Sequence, residues 1–149
     1  MKTIEYWKEK GFIRYAEMFV SDRLLQGVDV EVCDKELDKK LRKRPRAGVY
    51  ILTDVNTGEV LKFGQSANVR HRIQTQYKCV SNSTNNFIRE EIKNRLKRVD
   101  FFVYFIPNQE MELLGYKFKT NFQKGLEEAI LQEYAEVNGE IPQLNRQRN

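Results

Sequence analysis

Two apolar runs and one glycine dictate most of what this chain can fold into. Gly48-Val49-Tyr50-Ile51-Leu52 and Lys62-Phe63-Gly64-Gln65-Ser66 lie either side of Asn56-Thr57-Gly58. Short β-prone runs around a turn of this composition read as a hairpin, with strands over 48–54 and 59–65. Gly64 lets the backbone turn sharply at the end of the second run. Ser66 or Asn68 then caps a helix over 67–78 carrying Arg70, His71 and Arg72. The order is hairpin, glycine, helix, with a tyrosine on one strand and cations at the helix start.

Residues 99–106, Val-Asp-Phe-Phe-Val-Tyr-Phe-Ile, give the strongest strand signal in the chain and end at Pro107. They read as the central strand. Helices are expected over 87–98, on the stripe Ile88, Ile92 and Leu96, and over 125–138, on Leu126, Ile130, Leu131 and Tyr134. The fold class is therefore α/β of the α+β kind: a small central three-stranded antiparallel sheet flanked by helices. The N-terminal residues read as a helical extension. Ile4, Trp7, Phe12, Tyr15, Met18, Phe19 and Leu25 recur at three- and four-residue steps, which predicts helix over 3–26. Val28, Val30 and Val32 give a weak strand signal, and residues 39–46 form a basic linker ending in Arg44-Pro45-Arg46. Residues 79–86 read as a polar loop, and 108–124 are ambiguous, with a short helix around Met111–Leu114. Two units follow: the extension and linker over 1–46, and a core domain over 47–149.

With 149 residues the chain can bury a real core. No apolar stretch reaches membrane-spanning length, and the first residues lack a signal-peptide pattern. Cys33 and Cys79 match no metal-ligand spacing and read as reduced thiols of a cytoplasmic protein. The net charge of +5 is unevenly placed: residues 62–98 hold nine Lys or Arg against two Asp or Glu. A basic excess beside the hairpin points to a polyanionic partner, most simply nucleic acid. Arg70, His71, Arg89, Lys93 and Lys97, with Arg44 and Arg46 of the linker, are the candidate phosphate contacts. Read singly, each is equally a solvated surface charge.

Gly48-Val49-Tyr50, then Lys62-Phe63-Gly64-Gln65-Ser66, then Arg72, resemble the core motif of the GIY-YIG nuclease superfamily. Glu128 to Glu133 and the tail Ile141-Pro142-Gln143-Leu144-Asn145 resemble the helix and tail of its excision-repair members, with Glu133 to Asn145 spaced without a gap. The resemblance covers roughly residues 47–149. Two positions depart from the pattern: Lys62 replaces the second motif tyrosine, and Gln65 replaces the lysine that often follows the motif glycine.

The resemblance implies a metal-dependent DNA endonuclease. Tyr50 would take a proton from water, Arg72 would hold the phosphate, and Glu133 would bind one Mg²⁺ (or Mn²⁺). Gly48, Gly64 and Asn145 would shape the site. A resting tyrosine is a poor base, so a neighbouring cation must favour its phenolate, and Lys62 is placed to do so. This requires Tyr50 and Lys62 on one sheet face. A two-residue loop would set Tyr50 opposite Gln65 and turn Lys62 away; a five-residue loop, 54–58, would set Tyr50 opposite Lys62. The resemblance favours the second register. The alternative is a catalytically weak or inactive nucleic-acid-binding module on the same fold.

Overall fold

The computed structural model describes residues 1–25, 27–78, 83–107 and 109–145, the side chains of 83–85 excepted. Cys79 and the first half of the polar loop expected over 79–86 lie outside these residues. The chain runs α1 (Ile4–Glu9), β1 (Ile13–Val20), β2 (Val28–Val32), α2 (Lys35–Lys43), β3 (Gly48–Asp54) and β4 (Val60–Ser66). It continues with α3 (Val69–Gln74), a 3-10 turn (Gln76–Lys78), α4 (Ser83–Glu91) and a π-helical turn (Ile92–Leu96). β5 (Arg98–Phe105), β6 (Glu110–Leu113), β7 (Tyr116–Lys119) and α5 (Phe122–Asn138) complete it.

The three expected strands form one antiparallel sheet with β5 at its centre, and two further strands extend it to the order β2-β1-β5-β3-β4. The helix expected over 3–26 stops at Glu9, and residues 13–20 are strand. A register shift between Arg14 and Ala16 leaves Tyr15 and Ala16 both buried. That bulge breaks the alternation of a regular strand and leaves apolar spacings that imitate a helix. The basic linker is also structured. Lys35–Lys43 form a helix capped by the Asp34 carboxylate, which accepts from Leu37 N at 3.0 Å. The short helix expected around Met111–Leu114 is instead a hairpin of β6 and β7, turned at Leu114 and Gly115, whose φ values are 55° and 80°. Both turn residues at positive φ make a tight hairpin turn, and Leu-Gly does not announce one as Asn-Gly would.

The sheet is covered on both sides. α2, α3, α4 and the π-helical turn pack on one face around Tyr50, Leu52, Phe101 and Val103. α1 and α5 pack on the other around Val49, Ile51, Phe63 and Phe102. Among the described residues no helix is long and apolar enough to cross a membrane.

The hairpin register lies between the two expected ones. Thr53 pairs with Val60, and a bulge after it sets Leu52 opposite Lys62 and Tyr50 opposite Gly64. Tyr50 is thus not opposite Lys62, as the resemblance implied. The displacement is two residues, and a shift of two preserves the face. Lys62 therefore projects on the Tyr50 side of the sheet.

Candidate active site

Tyr50 is buried, and its ring lies across β4 above Gly64. A Cβ at position 64 would overlap Tyr50 Cζ and Oη, so any other residue would displace the ring. At Gly48 a Cβ would collide with the Tyr104 carbonyl oxygen of β5. Asn145 is also buried, and its amide bonds both backbone groups of Phe63: Oδ1 accepts from Phe63 N at 2.8 Å and Nδ2 donates to Phe63 O at 2.9 Å. The tail thus clamps β4 next to Lys62 and Gly64.

The Tyr50 hydroxyl meets a residue that is not among the candidate site residues of the sequence. Its Oη lies 2.9 Å from Tyr77 Oη, and the two rings stand edge to face at 5.8 Å. Lys62 Nζ donates to Tyr77 Oη at 3.1 Å. The cation that replaces the motif tyrosine therefore bonds to Tyr77, while its charge also reaches Tyr50. Tyr77 sits on the 3-10 turn that follows α3, five residues after Arg72; that proximity to Arg72 was the available signal.

Burial pushes both phenols above the ordinary tyrosine range. At Tyr50 the neighbouring Tyr77 adds to this, while Lys62 and Arg72 oppose it. At Tyr77 the hydrogen bond from Tyr50 and the Arg72 charge oppose it, and Glu127 adds to it. In the resting protein both are neutral phenols, and the phenolate of Tyr77 is the one that would accept bonds from both Lys62 and Tyr50.

Arg72 stands on α3, whose first turn is capped by Asn68 Oδ1 accepting from His71 N at 3.1 Å. Its Nε is buried with no hydrogen-bond partner. A buried guanidinium N–H without an acceptor is costly, and its charge already acts on both tyrosines. The site thus holds a free donor beside two phenols and an ammonium.

Glu133 does not join this group. It lines an open, mainly apolar groove of about 570 Å³ with Trp7, Lys10, Phe12 and Tyr104, on the sheet face away from Tyr50. Tyr134, one residue on, packs against Phe63 at 5.6 Å between ring centroids. One helical residue is a rotation of about 100°, which turns Glu133 from β4 to the groove. Glu127 lies seven residues before Tyr134 on the same helical stripe, and its charge is the carboxylate felt at Tyr77. Sequence spacing to Asn145 points to Glu133, which lies on a different stripe of α5. Among the described residues no group of three or more His, Cys, Asp or Glu side chains gathers as a metal cage.

The expected phosphate contacts divide. Arg89 is a correction: it is 1% exposed, and its guanidinium donates to Tyr77 O at 3.2 Å and to Asn86 Oδ1 at 2.9 Å. It holds the backbone of Tyr77 rather than facing solvent. Arg70 Nε is paired with Asp38 Oδ1 at 2.9 Å. Lys93 pairs with Glu90 at 3.3 Å, and Lys97 Nζ donates to Lys93 O at 2.6 Å. Lys97 lines a cavity with Glu17 and Glu31, beyond the end of β5 remote from Tyr50. His71 is exposed beside Arg72. Arg44 and Arg46 line a cavity of about 350 Å³ with Lys40 and Lys43, and the Arg46 guanidinium stacks on Phe105 at 4.8 Å. Arg46 O accepts from Val69 N at 3.0 Å, so this basic cavity adjoins the start of α3.

No protein-family model matches the chain, and no curated protein matches its sequence. Solved structures share its fold. It superposes on restriction endonuclease HPY188I in complex with product DNA with a TM-score of 0.57 and 19% identity, covering 95% of this chain and 84% of that one. It superposes on a mutant of bacteriophage T4 EndoII with a TM-score of 0.64 and 16% identity, covering 96% of this chain and 97% of that one.

Proposed function

We propose that this chain is a divalent-metal-dependent DNA endonuclease of the GIY-YIG type. The observation that carries the reading is the unpartnered, buried Nε of Arg72 beside the Tyr50–Tyr77–Lys62 cluster. A guanidinium whose Nε–H has no acceptor suits a phosphate oxygen, and the adjoining phenols are placed to handle a proton. The two solved structures that share the fold, one a restriction endonuclease bound to product DNA and the other EndoII, support the same reaction class.

In this mechanism the scissile phosphate docks on the Arg72 guanidinium, which offsets the charge that builds at phosphorus. In the reactive form Tyr77 has given its proton to solvent, and its phenolate takes the Tyr50 proton as Tyr50 accepts that of the attacking water. Lys62 and Tyr77 make this possible by stabilising negative charge on the coupled phenols, in opposition to their burial. Glu127 is the carboxylate that would hold Mg²⁺ or Mn²⁺. A single protein carboxylate with substrate oxygens is an ordinary setting for Mg²⁺, which does not require an all-protein cage. When bound, the cation supplies Lewis acidity to the phosphate and the leaving oxygen. The basic cavity of Lys40, Lys43, Arg44 and Arg46 takes flanking phosphates.

The alternative is a nucleic-acid-binding module that cleaves weakly or not at all, and the burial of both phenols favours it. Incubation with supercoiled plasmid and Mg²⁺ separates the two. The endonuclease converts plasmid to nicked or linear forms, and Arg72→Ala abolishes the conversion. Plasmid that is bound and shifted by the wild type, yet stays supercoiled, establishes the binding module instead.

A further inference from the structure

Asp38 lies on α2, outside the stretch that resembles a nuclease core, and is almost fully buried. Its Oδ1 accepts from Tyr15 Oη of β1 at 2.7 Å, from Arg70 Nε at 2.9 Å and from Gln74 Nε2. Gln74 Nε2 also donates to Tyr15 Oη at 2.7 Å. Arg70 and Gln74 stand four apart on α3, so one carboxylate grips successive turns along one side of that helix. Arg72 lies between them in sequence and points away, towards the tyrosines. α3 has only six residues, too few to be stable alone, and it leads directly into the turn carrying Tyr77. Nothing else charged and buried ties α3 to the N-terminal elements among the described residues.

We propose that Asp38 is a positioning residue: through Arg70 and Gln74 it fixes the direction from which Arg72 and Tyr77 enter the site. This rests on the endonuclease reading for its kinetic consequence and on the geometry alone for its structural one. It gives residues 1–46 a task in the active site. Misplacing a catalytic group by about 1 Å can cost 10²-fold in rate while substrate binding is untouched.

The test uses the full chain with Asp38→Asn, Asp38→Glu and the milder Tyr15→Phe. Plasmid nicking is expected to lose at least tenfold in kcat for Asp38→Asn, with KM and DNA affinity within twofold. Asp38→Glu is expected to recover part of the loss, and Tyr15→Phe to show a smaller loss in the same direction. Adding Arg70→Gln to Asp38→Asn is expected to lower kcat little further, because both act on one linkage. A second readout needs no cleavage: the Nε–Hε NMR signal of Arg72, assigned with Arg72→Lys, should shift or broaden in Asp38→Asn and Tyr15→Phe while β3 and β5 amides stay in place. An unmoved Arg72 signal in both variants, or unchanged kcat in Tyr15→Phe together with Asp38→Asn, overturns the proposal. A wild type that does not cleave removes the endonuclease reading and leaves the NMR arm to decide the positioning role.

Discussion

Tyr50 and Gly64 are paired across β3 and β4, and the tyrosine ring occupies the space where a side chain at position 64 would be. The glycine of this motif is therefore needed for the room above its Cα, and the hydroxyl it admits reaches Tyr77. Gly64→Ala should displace the ring, at a cost of about 1–3 kcal/mol for overpacking. Denaturant unfolding measures that cost. Plasmid cleavage should fall much further than the stability loss accounts for, because the phenol moves off Tyr77.

What was legible in the sequence followed from local chemistry. The β3–β4 hairpin, the aromatic strand β5 and helix α5 each carry a clean period and clear punctuation, and all three elements form, the hairpin two residues from the favoured register. β1 was hidden by its bulge at Arg14 and Ala16. Tyr77 was hidden because an aromatic residue on a helical stripe with Ile73 describes core equally well; only the tertiary fold brings its hydroxyl to Tyr50. Arg89 was hidden for the opposite reason. A cation among cations reads as surface, and nothing local shows that the Tyr77 carbonyl awaits it. The proposed choice of Glu127 rests on which stripe of α5 faces β4, and residue spacing to Asn145 does not encode that rotation.

The phenol pair and Lys62 should separate binding from chemistry. Tyr50→Phe, Tyr77→Phe and Lys62→Met are each expected to lower single-turnover cleavage by about 10²-fold or more. DNA affinity measured by fluorescence anisotropy should change little. If Lys62→Met cleaved at the wild-type rate, the ammonium on Tyr77 would have no part in ionising the pair.

Arg89 and the basic cavity should respond to substitution in different ways. Arg89→Ala leaves the buried Tyr77 carbonyl without a donor, a penalty of about 1–3 kcal/mol. It should appear as a lower midpoint of thermal unfolding. Replacing Lys43, Arg44 and Arg46 together should leave stability nearly unchanged and flatten the salt dependence of DNA binding, by about 0.9 in log–log slope for each phosphate no longer neutralised. A slope identical to the wild type would return those three cations to the solvated surface.

The tyrosines also set how stability varies with pH. Burial holds the folded pKa of Tyr15, Tyr50 and Tyr77 above the ~10 of an unfolded tyrosine. Their contribution is fully present below that value and is lost as pH rises through the folded ones. Asp38 has the opposite sign: burial raises its pKa, but bonds from Tyr15 and Arg70 outweigh this and lower it. Its contribution is present above the ~3.9 of an unfolded aspartate and is lost as pH falls through the folded value. Unfolding free energy should thus drop above pH ~10, and Tyr15→Phe should soften that drop. An alkaline limb unaffected by the substitution would mean that Tyr15 titrates normally.

The choice between Glu127 and Glu133 tests the proposed metal site most directly, because it asks which side of α5 serves the chemistry. Supercoiled plasmid and Mg²⁺ are incubated with the wild type, Glu127→Gln and Glu133→Gln under single-turnover conditions. The expected result is cleavage by the wild type, a loss of about 10²-fold or more in Glu127→Gln, and near-normal cleavage in Glu133→Gln. Normal cleavage by Glu127→Gln with a silent Glu133→Gln would contradict it and move the metal to the groove beside Trp7 and Lys10.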